Sequence, residues 1–163
     1  MIDMFNLRPN DVVGGPRPSG RHVHLVGIGG AGLSAIARVL LERGVEVSGS
    51  DLVMSPVAQA LRQDGVPVSE GHAAENVNGA DVVVASSAVP EENVEIRTAR
   101  ARGIPVLRRP EFLGQLMEGA EGVAVAGTHG KTTTTAMIAS ILLTAGRDPS
   151  FIVGGVLAGL ETN

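Results

Sequence analysis

Apolar residues recur along the chain at two alternating spacings, which predicts strands and helices in turn. Short apolar runs such as residues 22–26 and 80–86 are typical of buried strands, whereas the apolar residues of 33–43 recur at helical spacing. The predicted strands are 22–26, 45–49, 66–69, 80–86, 105–107, 123–126 and 150–153, and the predicted helices are 33–43, 57–64, 92–102, 110–118 and 131–145. Because strands alternate with helices, the pattern predicts an α/β fold with a parallel sheet and right-handed crossovers.

Glycine and proline positions divide this pattern into three parts. Residues 1–20 are rich in both and predict a loose arm. Residues 21–118 carry the repeated strand–helix units, and a short Glu- and Gly-containing break then separates them from residues 122–163. That last part holds a predicted strand, a long helix and a further strand, so we expect it to begin a second unit.

Composition narrows the class of protein. Hydrophobic residues make up 44% of the chain but aromatic residues only 2%, so Ala, Val, Ile and Leu must build the core, as suits a parallel sheet covered by helices. The chain has no cysteine, which excludes disulfides, zinc–thiolate sites and cysteine nucleophiles. A net charge of −4 with scattered Lys and Arg argues against a nucleic-acid partner. The lack of a long apolar run predicts no membrane association and a cytoplasmic location.

A phosphate-binding loop is predicted at residues 127–135, which read Gly-Thr-His-Gly-Lys-Thr-Thr-Thr-Thr between a predicted strand and helix. Backbone N–H groups at a helix N-terminus attract phosphate, Lys131 supplies a positive charge, and the Thr132 hydroxyl suits Mg²⁺. The loop is shorter than the general P-loop pattern, which would place glycine where Val125 stands. The alternative is a helix capped by Gly and Thr, but consecutive β-branched Thr residues are poor helix formers.

A second candidate lies at residues 27–32, which fit G-x-G-x-x-G after a predicted strand. In this pattern Gly27 permits a tight turn, Gly29 lets a diphosphate approach the backbone, and Gly32 lets helix and strand pack closely. Asp51, at the end of the next strand, is placed to accept hydrogen bonds from a ribose. The alternative is a glycine-rich packing turn, and the pattern does not distinguish NAD from another nucleotide diphosphate.

Further candidates follow the predicted strands. Ser86 and Ser87 follow the apolar strand residues 82–85, at the edge where open α/β sheets bind ligands. His72 is either a nucleotide contact or a solvated loop residue, and His24 is expected to be structural. The arginines at 108–109 are either anion contacts or solvated. No Ser/His/Asp triad and no protein metal cage is supported by the spacing.

The chain resembles the N-terminal part of the Mur ligase family from about His22 onward. The resemblance rests on residues 24–34, 48–51, 71–76, 84–89, 127–135 and 154–155. The run at 127–135 resembles the members that add L-alanine or a recycled peptide to UDP-N-acetylmuramate in peptidoglycan synthesis. The stretch 27–34 favours the alanine-adding members.

This resemblance implies a sugar-nucleotide site in a Rossmann-like domain at 21–118. Asp51, His72, Ser86 and Ser87 would lie around the nucleotide of UDP-N-acetylmuramate. Its diphosphate would be bound by Gly29, Gly30, Ala31, Gly32, Leu33 and Ser34.

The resemblance also implies an ATP site in the first strand–loop–helix unit of a central ATPase domain at 122–163. Lys131 would contact the β- and γ-phosphates, and Thr132 would bind Mg²⁺. The substrate carboxylate would attack ATP to give an acyl phosphate, which the alanine amine then converts to an amide. The residues assigned to ATP are Gly127, Thr128, His129, Gly130, Lys131, Thr132 and Thr133.

Family members are considerably longer than 163 residues. We therefore expect this chain to be a truncated portion that holds ATP weakly and lacks ligase activity alone. Its segment 122–163 would expose the apolar residues Ile138, Ile141, Leu142 and Leu143, which makes a homodimer through this segment one expectation. The competing interpretations are an NAD-binding dehydrogenase or regulatory module, which has no need of 127–135, and a non-catalytic binding fragment.

Overall fold

The structure, a computed structural model, describes residues 21–153. The predicted arm 1–20 and the glycines at 154–155 lie outside the described residues. The strands are β1 His22–Val26, β2 Glu46–Asp51, β3 Val68–Glu70, β4 Val82–Ala85 and β5 Val106–Arg108. The helices are α1 Ala31–Glu42, α2 Pro56–Gln63, α3 Val94–Ala101, α4 Arg109–Leu116 and α5 Lys131–Thr144, with a short 3₁₀ helix at Ala74–Val77.

The strands form one parallel sheet in the order β3-β2-β1-β4-β5, which confirms the predicted α/β class. The chain moves outward from β1 to β3 on one side and then returns to place β4 on the other side of β1. Strand order therefore reverses between β1 and β4, and ligands of open α/β sheets bind at such a point. The last paired residues there are Val26 of β1 and Ala85 of β4.

Both faces of the sheet are buried by helices, and this explains why the sequence of β4 is continuously apolar. Val82 and Val84 belong to a core cluster with α1, α2 and α4, which includes the fully buried Phe112. Val83 and Ala85 point to the opposite face and pack in a cluster with Ile96 of α3. A strand covered by helices on both faces loses the alternation of apolar and polar residues.

Local signals fixed several boundaries. Gly44, Gly65 and Gly103 follow α1, α2 and α3 at positive φ, as expected of glycine that ends a helix. Ser55 caps α2 by accepting a hydrogen bond from the Ala58 N–H at 3.2 Å. The 3₁₀ helix at Ala74–Val77 was not predicted.

Two predicted strands, 123–126 and 150–153, are wrong. Neither segment belongs to a strand in the part of the chain that the structure describes, although α5 between them forms as predicted. A strand requires a neighbouring backbone to pair with, and the edges of this sheet, β3 and β5, pair with neither segment. Instead, Ile152 packs against the core cluster of α1 and α4, and Val153 is buried. Across residues 21–153, no helix is long and apolar enough to cross a bilayer.

Candidate functional site

The turn after β1 is hydrogen-bonded to the neighbouring strand β2. The N–H groups of Gly27 and Ile28 both donate to the Ser50 carbonyl, at 2.8 and 3.0 Å. Gly27 has φ +87°, and a Cβ there would lie 3.1 Å from Cβ of Ser86. Both observations agree with the predicted role of this glycine in a tight turn.

The second glycine of the motif is required by the protein itself. The N–H of Gly29 donates to Oδ2 of Asp51 at 2.8 Å. A Cβ at position 29 would lie 2.7 Å from Oγ of Ser55 and 2.8 Å from the same carboxylate oxygen. From the sequence, Gly29 was predicted to let a diphosphate approach the backbone closely. In the structure, the side chains of Ser55 and Asp51 make that close approach.

The third glycine makes room for an arginine. A Cβ at Gly32 would lie 2.9 Å from both Cδ and Nη1 of Arg109, the first residue of α4. The predicted reason for Gly32 was close packing of helix and strand, whereas the atoms nearest to a Cβ at this position belong to Arg109. The Arg109 side chain crosses the first turn of α1 at this point.

The loop before α5 depends on glycine at both ends. Gly127 has φ +149° and Gly130 has φ +78°, conformations that other residues rarely adopt. The Lys131 ammonium donates to the carbonyls of Gly127, at 2.6 Å, and Thr128, at 3.2 Å. Helix α5 begins at Lys131 without a side-chain cap. Its first N–H groups therefore have no intrahelical acceptor and remain suited to an anion.

The first glycine-rich loop and the start of α5 line one cavity of 740 Å³. Ser86 and Ser87, at the end of β4, also line it, and so does Arg109. The first loop contributes Gly27, Gly30, Ala31, Gly32 and Leu33, and the second motif contributes Lys131 and Thr132. The structure thus brings residues predicted for two different nucleotides to the same space.

Other predicted residues do not line this cavity. Ser34 is fully buried, and its hydroxyl donates to the Ala31 carbonyl at 3.1 Å. Gly29 belongs to the first loop, and its N–H donates to Asp51 at the end of β2. The remaining predicted residues outside the cavity lining are His72, Gly127, Thr128, His129, Gly130 and Thr133.

His72 lies against a buried carboxylate that the sequence analysis missed. Its Nδ1 is 3.1 Å from Oε2 of Glu95 and 3.1 Å from Oγ of Ser50. The Ser50 hydroxyl donates to the same Glu95 oxygen at 2.6 Å, so both neighbours act as acceptors toward the ring. This network assigns the proton to Nδ1 and leaves Nε2 as the acceptor of neutral His72.

Glu95 is fully buried on α3 and is surrounded by donors. Burial acts to raise the pKa of its carboxyl group. The nearby His24 ring, whose Nε2 lies 3.7 Å from Oε2, and the hydrogen bonds from Ser50 and Asn76 outweigh burial and lower that pKa from 4.5 to about 2. The carboxylate therefore stays ionised and ties β2, α3 and the 3₁₀ helix together.

A signal for this cluster is present in the strands. His24 of β1 and Ser50 of β2 lie on the sheet face that α3 covers, and His24 Nδ1 contacts Oγ of Ser48 at 2.8 Å. Polar residues at alternating positions of two buried neighbouring strands predict a buried polar partner on the covering helix. The burial of His24 agrees with the expected structural role.

No protein metal cage exists within residues 21–153. No group of three or more His, Cys, Asp or Glu side chains there is placed to hold a metal ion.

Comparison with known proteins gives consistent matches. The sequence profile of the Mur ligase family, catalytic domain, matches residues 22–121. The UDP-N-acetylmuramate–L-alanine ligase of Chlorobaculum tepidum is 58% identical over 137 residues, which cover 83% of this chain. The match covers 29% of that relative, so the chain spans less than a third of its length.

Solved structures are similar in fold. The UDP-N-acetylmuramate–alanine ligase of Thermotoga maritima matches with a TM-score of 0.80 at 37% identity, over 87% of this chain and 34% of that one. The UDP-N-acetylmuramate:L-alanyl-γ-D-glutamyl-meso-diaminopimelate ligase of Neisseria meningitides matches with a TM-score of 0.81 at 34% identity. That match covers 88% of this chain and 46% of the other.

Proposed function

The chain belongs to the Mur ligase family, and from this premise we propose that it serves the ATP-dependent attachment of L-alanine to UDP-N-acetylmuramate. The observation that carries the proposal is one cavity lined by the first glycine-rich loop and by Lys131 and Thr132 of the second motif. A ligase that activates a carboxylate with ATP must bring the sugar nucleotide and the γ-phosphate together. A cavity shared by the two phosphate-binding motifs supplies that proximity.

The sugar nucleotide is assigned to the domain at residues 21–118. Its diphosphate would lie at the first turn of α1, where helix N–H groups favour an anion, with Ser86 and Ser87 beside it. Asp51 would contact the nucleotide through the oxygen that Gly29 leaves unused. His72 would present Nε2 as an acceptor, since Glu95 and Ser50 occupy Nδ1.

ATP and Mg²⁺ are assigned to the loop and helix of residues 122–163. Lys131 would exchange its bonds to the loop carbonyls for the β- and γ-phosphates, and Thr132 would bind the metal ion. The carboxylate of the sugar nucleotide would then attack the γ-phosphate, break its bond to the β,γ-bridging oxygen, and form an acyl phosphate with release of ADP. The alanine amine would displace phosphate to form the amide, with the protein supplying position and charge.

A second candidate function is the addition of a recycled peptide to the same sugar nucleotide. The similarity to the Neisseria meningitides ligase, with a TM-score of 0.81, favours it. The 58% identity to an alanine ligase favours the first candidate. Both share the proposed UDP-N-acetylmuramate site and the cytoplasmic location where such a substrate is used.

A homodimer through residues 122–163 stays a prediction. Ile141 is 65% exposed on α5, whereas Ala139 on the same helix is buried. One part of α5 therefore packs against the rest of the chain, and another part exposes apolar side chains to solvent. Light scattering at several protein concentrations measures the outcome, and a monomer at all of them would overturn the dimer.

Thermal unfolding with different ligands tests the proposed function. A ligand that binds the folded chain raises its melting temperature in proportion to the logarithm of ligand concentration. We expect stabilisation by UDP-N-acetylmuramate and UDP and none by NAD. Stabilisation by NAD but not by the UDP compounds would show a dinucleotide-binding protein instead.

A further inference from the structure

Arg109 differs from its neighbour Arg108 in having no hydrogen-bond or ion-pair partner among residues 21–153. The Arg108 guanidinium donates to the carbonyls of Ser86, at 3.0 Å, and Val89, at 2.9 Å, and pairs with Glu91. Arg109 makes no hydrogen bond or ion pair with any described residue, although it is half-buried. A half-buried guanidinium that lacks a partner is costly, because its N–H donors have lost part of their water.

The position of Arg109 is also electrostatically unfavourable in the absence of an anion. Its side chain crosses the first turn of α1, within 2.9 Å of where a Gly32 Cβ would be. The N-terminal end of a helix carries a partial positive charge, and the first turn of α1 has no acidic residue to offset it. Arg109 is itself the first residue of α4, whose own N-terminal end is offset by Glu111, so the uncompensated helix end near its charge is that of α1.

Among residues 21–153, the charged side chains that line the cavity are both positive. They are Arg109 and Lys131, and no Asp or Glu of this part of the chain lines it. The positive charge of this cavity therefore favours the binding of an anion with several oxygens. A planar guanidinium binds phosphate oxygens in pairs, which a backbone N–H group cannot do alone.

We propose that Arg109 binds the diphosphate of the sugar nucleotide and holds it against the first turn of α1. This inference rests on the proposed function and adds a side chain to it. The glycine at position 32 then has a specific purpose, because a larger residue would displace the arginine from the helix end. The diphosphate would receive backbone N–H groups of α1 on one side and the guanidinium on the other.

Calorimetric titration of the chain with three nucleotides tests this assignment. UDP carries the diphosphate alone, UDP-N-acetylglucosamine adds the sugar, and UDP-N-acetylmuramate adds the carboxylate. The variants are Arg109→Ala, Arg109→Lys and the control Arg102→Ala, whose exposed guanidinium contacts Asn78. We expect Arg109→Ala to weaken all three nucleotides by the same factor, on the order of tenfold or more, and Arg109→Lys to recover part of it. The control should bind as the unaltered chain does.

Three results would overturn the inference. Equal affinity of Arg109→Ala and the unaltered chain would show that Arg109 does not contact the nucleotide. A loss confined to UDP-N-acetylmuramate would assign Arg109 to the carboxylate instead of the diphosphate. Failure of the unaltered chain to bind any of the three would overturn the proposed function as well. Melting curves without ligand guard against misfolding, and Arg109→Ala should unfold no earlier than the unaltered chain because it removes an uncompensated charge.

Discussion

The Asp51 carboxylate accepts a hydrogen bond from the backbone N–H of Gly29, with 2.8 Å between Oδ2 and N. These residues belong to two adjacent strand ends, so the bond fixes the glycine turn relative to β2. The glycine pattern is therefore partly an internal requirement of the fold. A ligand that binds at this edge of the sheet therefore meets a turn whose position is already fixed by the Gly29–Asp51 hydrogen bond.

Substitution of Gly29 tests whether glycine is needed there because a Cβ would not fit, or only because glycine is flexible. Gly29→Ala would place Cβ 2.7 Å from Oγ of Ser55 and 2.8 Å from Oδ2 of Asp51, so the turn must shift. We expect a loss of about 1–3 kcal/mol in unfolding free energy, as for other overpacked sites. Urea denaturation measures it.

Gly30→Ala is the matched control for that experiment. A Cβ at Gly30 meets only the Gly27 carbonyl, at 3.4 Å, and φ there is −74°. We expect a much smaller change in unfolding free energy. Equal losses at positions 29 and 30 would contradict the role given to the Asp51 contact.

The buried carboxylate of Glu95 predicts a defined pH dependence of stability. Its pKa is lowered to about 2 in the folded chain, from 4.5. The stabilisation is therefore fully present above pH 4.5 and is lost as pH falls toward 2. We expect Glu95 to contribute a loss of about 3 kcal/mol in unfolding free energy across this range, at about 1.4 kcal/mol per pKa unit.

Glu95→Gln should flatten that dependence, since the amide does not titrate. The control is Glu92→Gln, which removes an exposed carboxylate near the start of α3 and should leave the slope unchanged. Denaturation curves at several pH values measure both variants. An unchanged slope in Glu95→Gln would contradict the network described for His72, Ser50 and Asn76.

Thr132 should contribute to nucleotide binding only through the metal ion. Thr132→Ala should weaken the binding of Mg²⁺-ATP on the order of tenfold and leave metal-free ATP nearly unchanged, because the hydroxyl serves the cation. Thr134→Ala, on the same exposed helix turn, is the control. Equal losses with and without Mg²⁺ would mean that Thr132 contacts phosphate instead.

The sequence was most informative where structure is decided locally. Gly44 and Ser55 end and begin helices through their own backbone and side-chain chemistry, and α1 and α2 formed close to the predicted ranges 33–43 and 57–64. The segments at 123–126 and 150–153 were misassigned because strand formation depends on a distant pairing partner that apolar composition does not specify.

The candidate site was predicted unevenly for the same reason. Its loops carry local glycine signals, so Gly30 to Leu33 and Lys131 were found from the sequence. Glu95 was missed because a single carboxylate on an amphipathic helix normally faces water. Its burial depends on polar residues of β1 and β2, far away in sequence.

The central claim is that one cavity serves both phosphate-binding motifs, and labelling of Lys131 tests it most directly. Lys131 is the only lysine in the sequence, so an amine-reactive ester modifies one side chain, with the N-terminal amine as an internal reference. We expect UDP-N-acetylmuramate, although assigned to the first loop, to slow the acylation of Lys131 as it saturates its site, while NAD has no effect. Unchanged acylation of Lys131 at a concentration where calorimetry shows UDP-N-acetylmuramate bound would contradict the account.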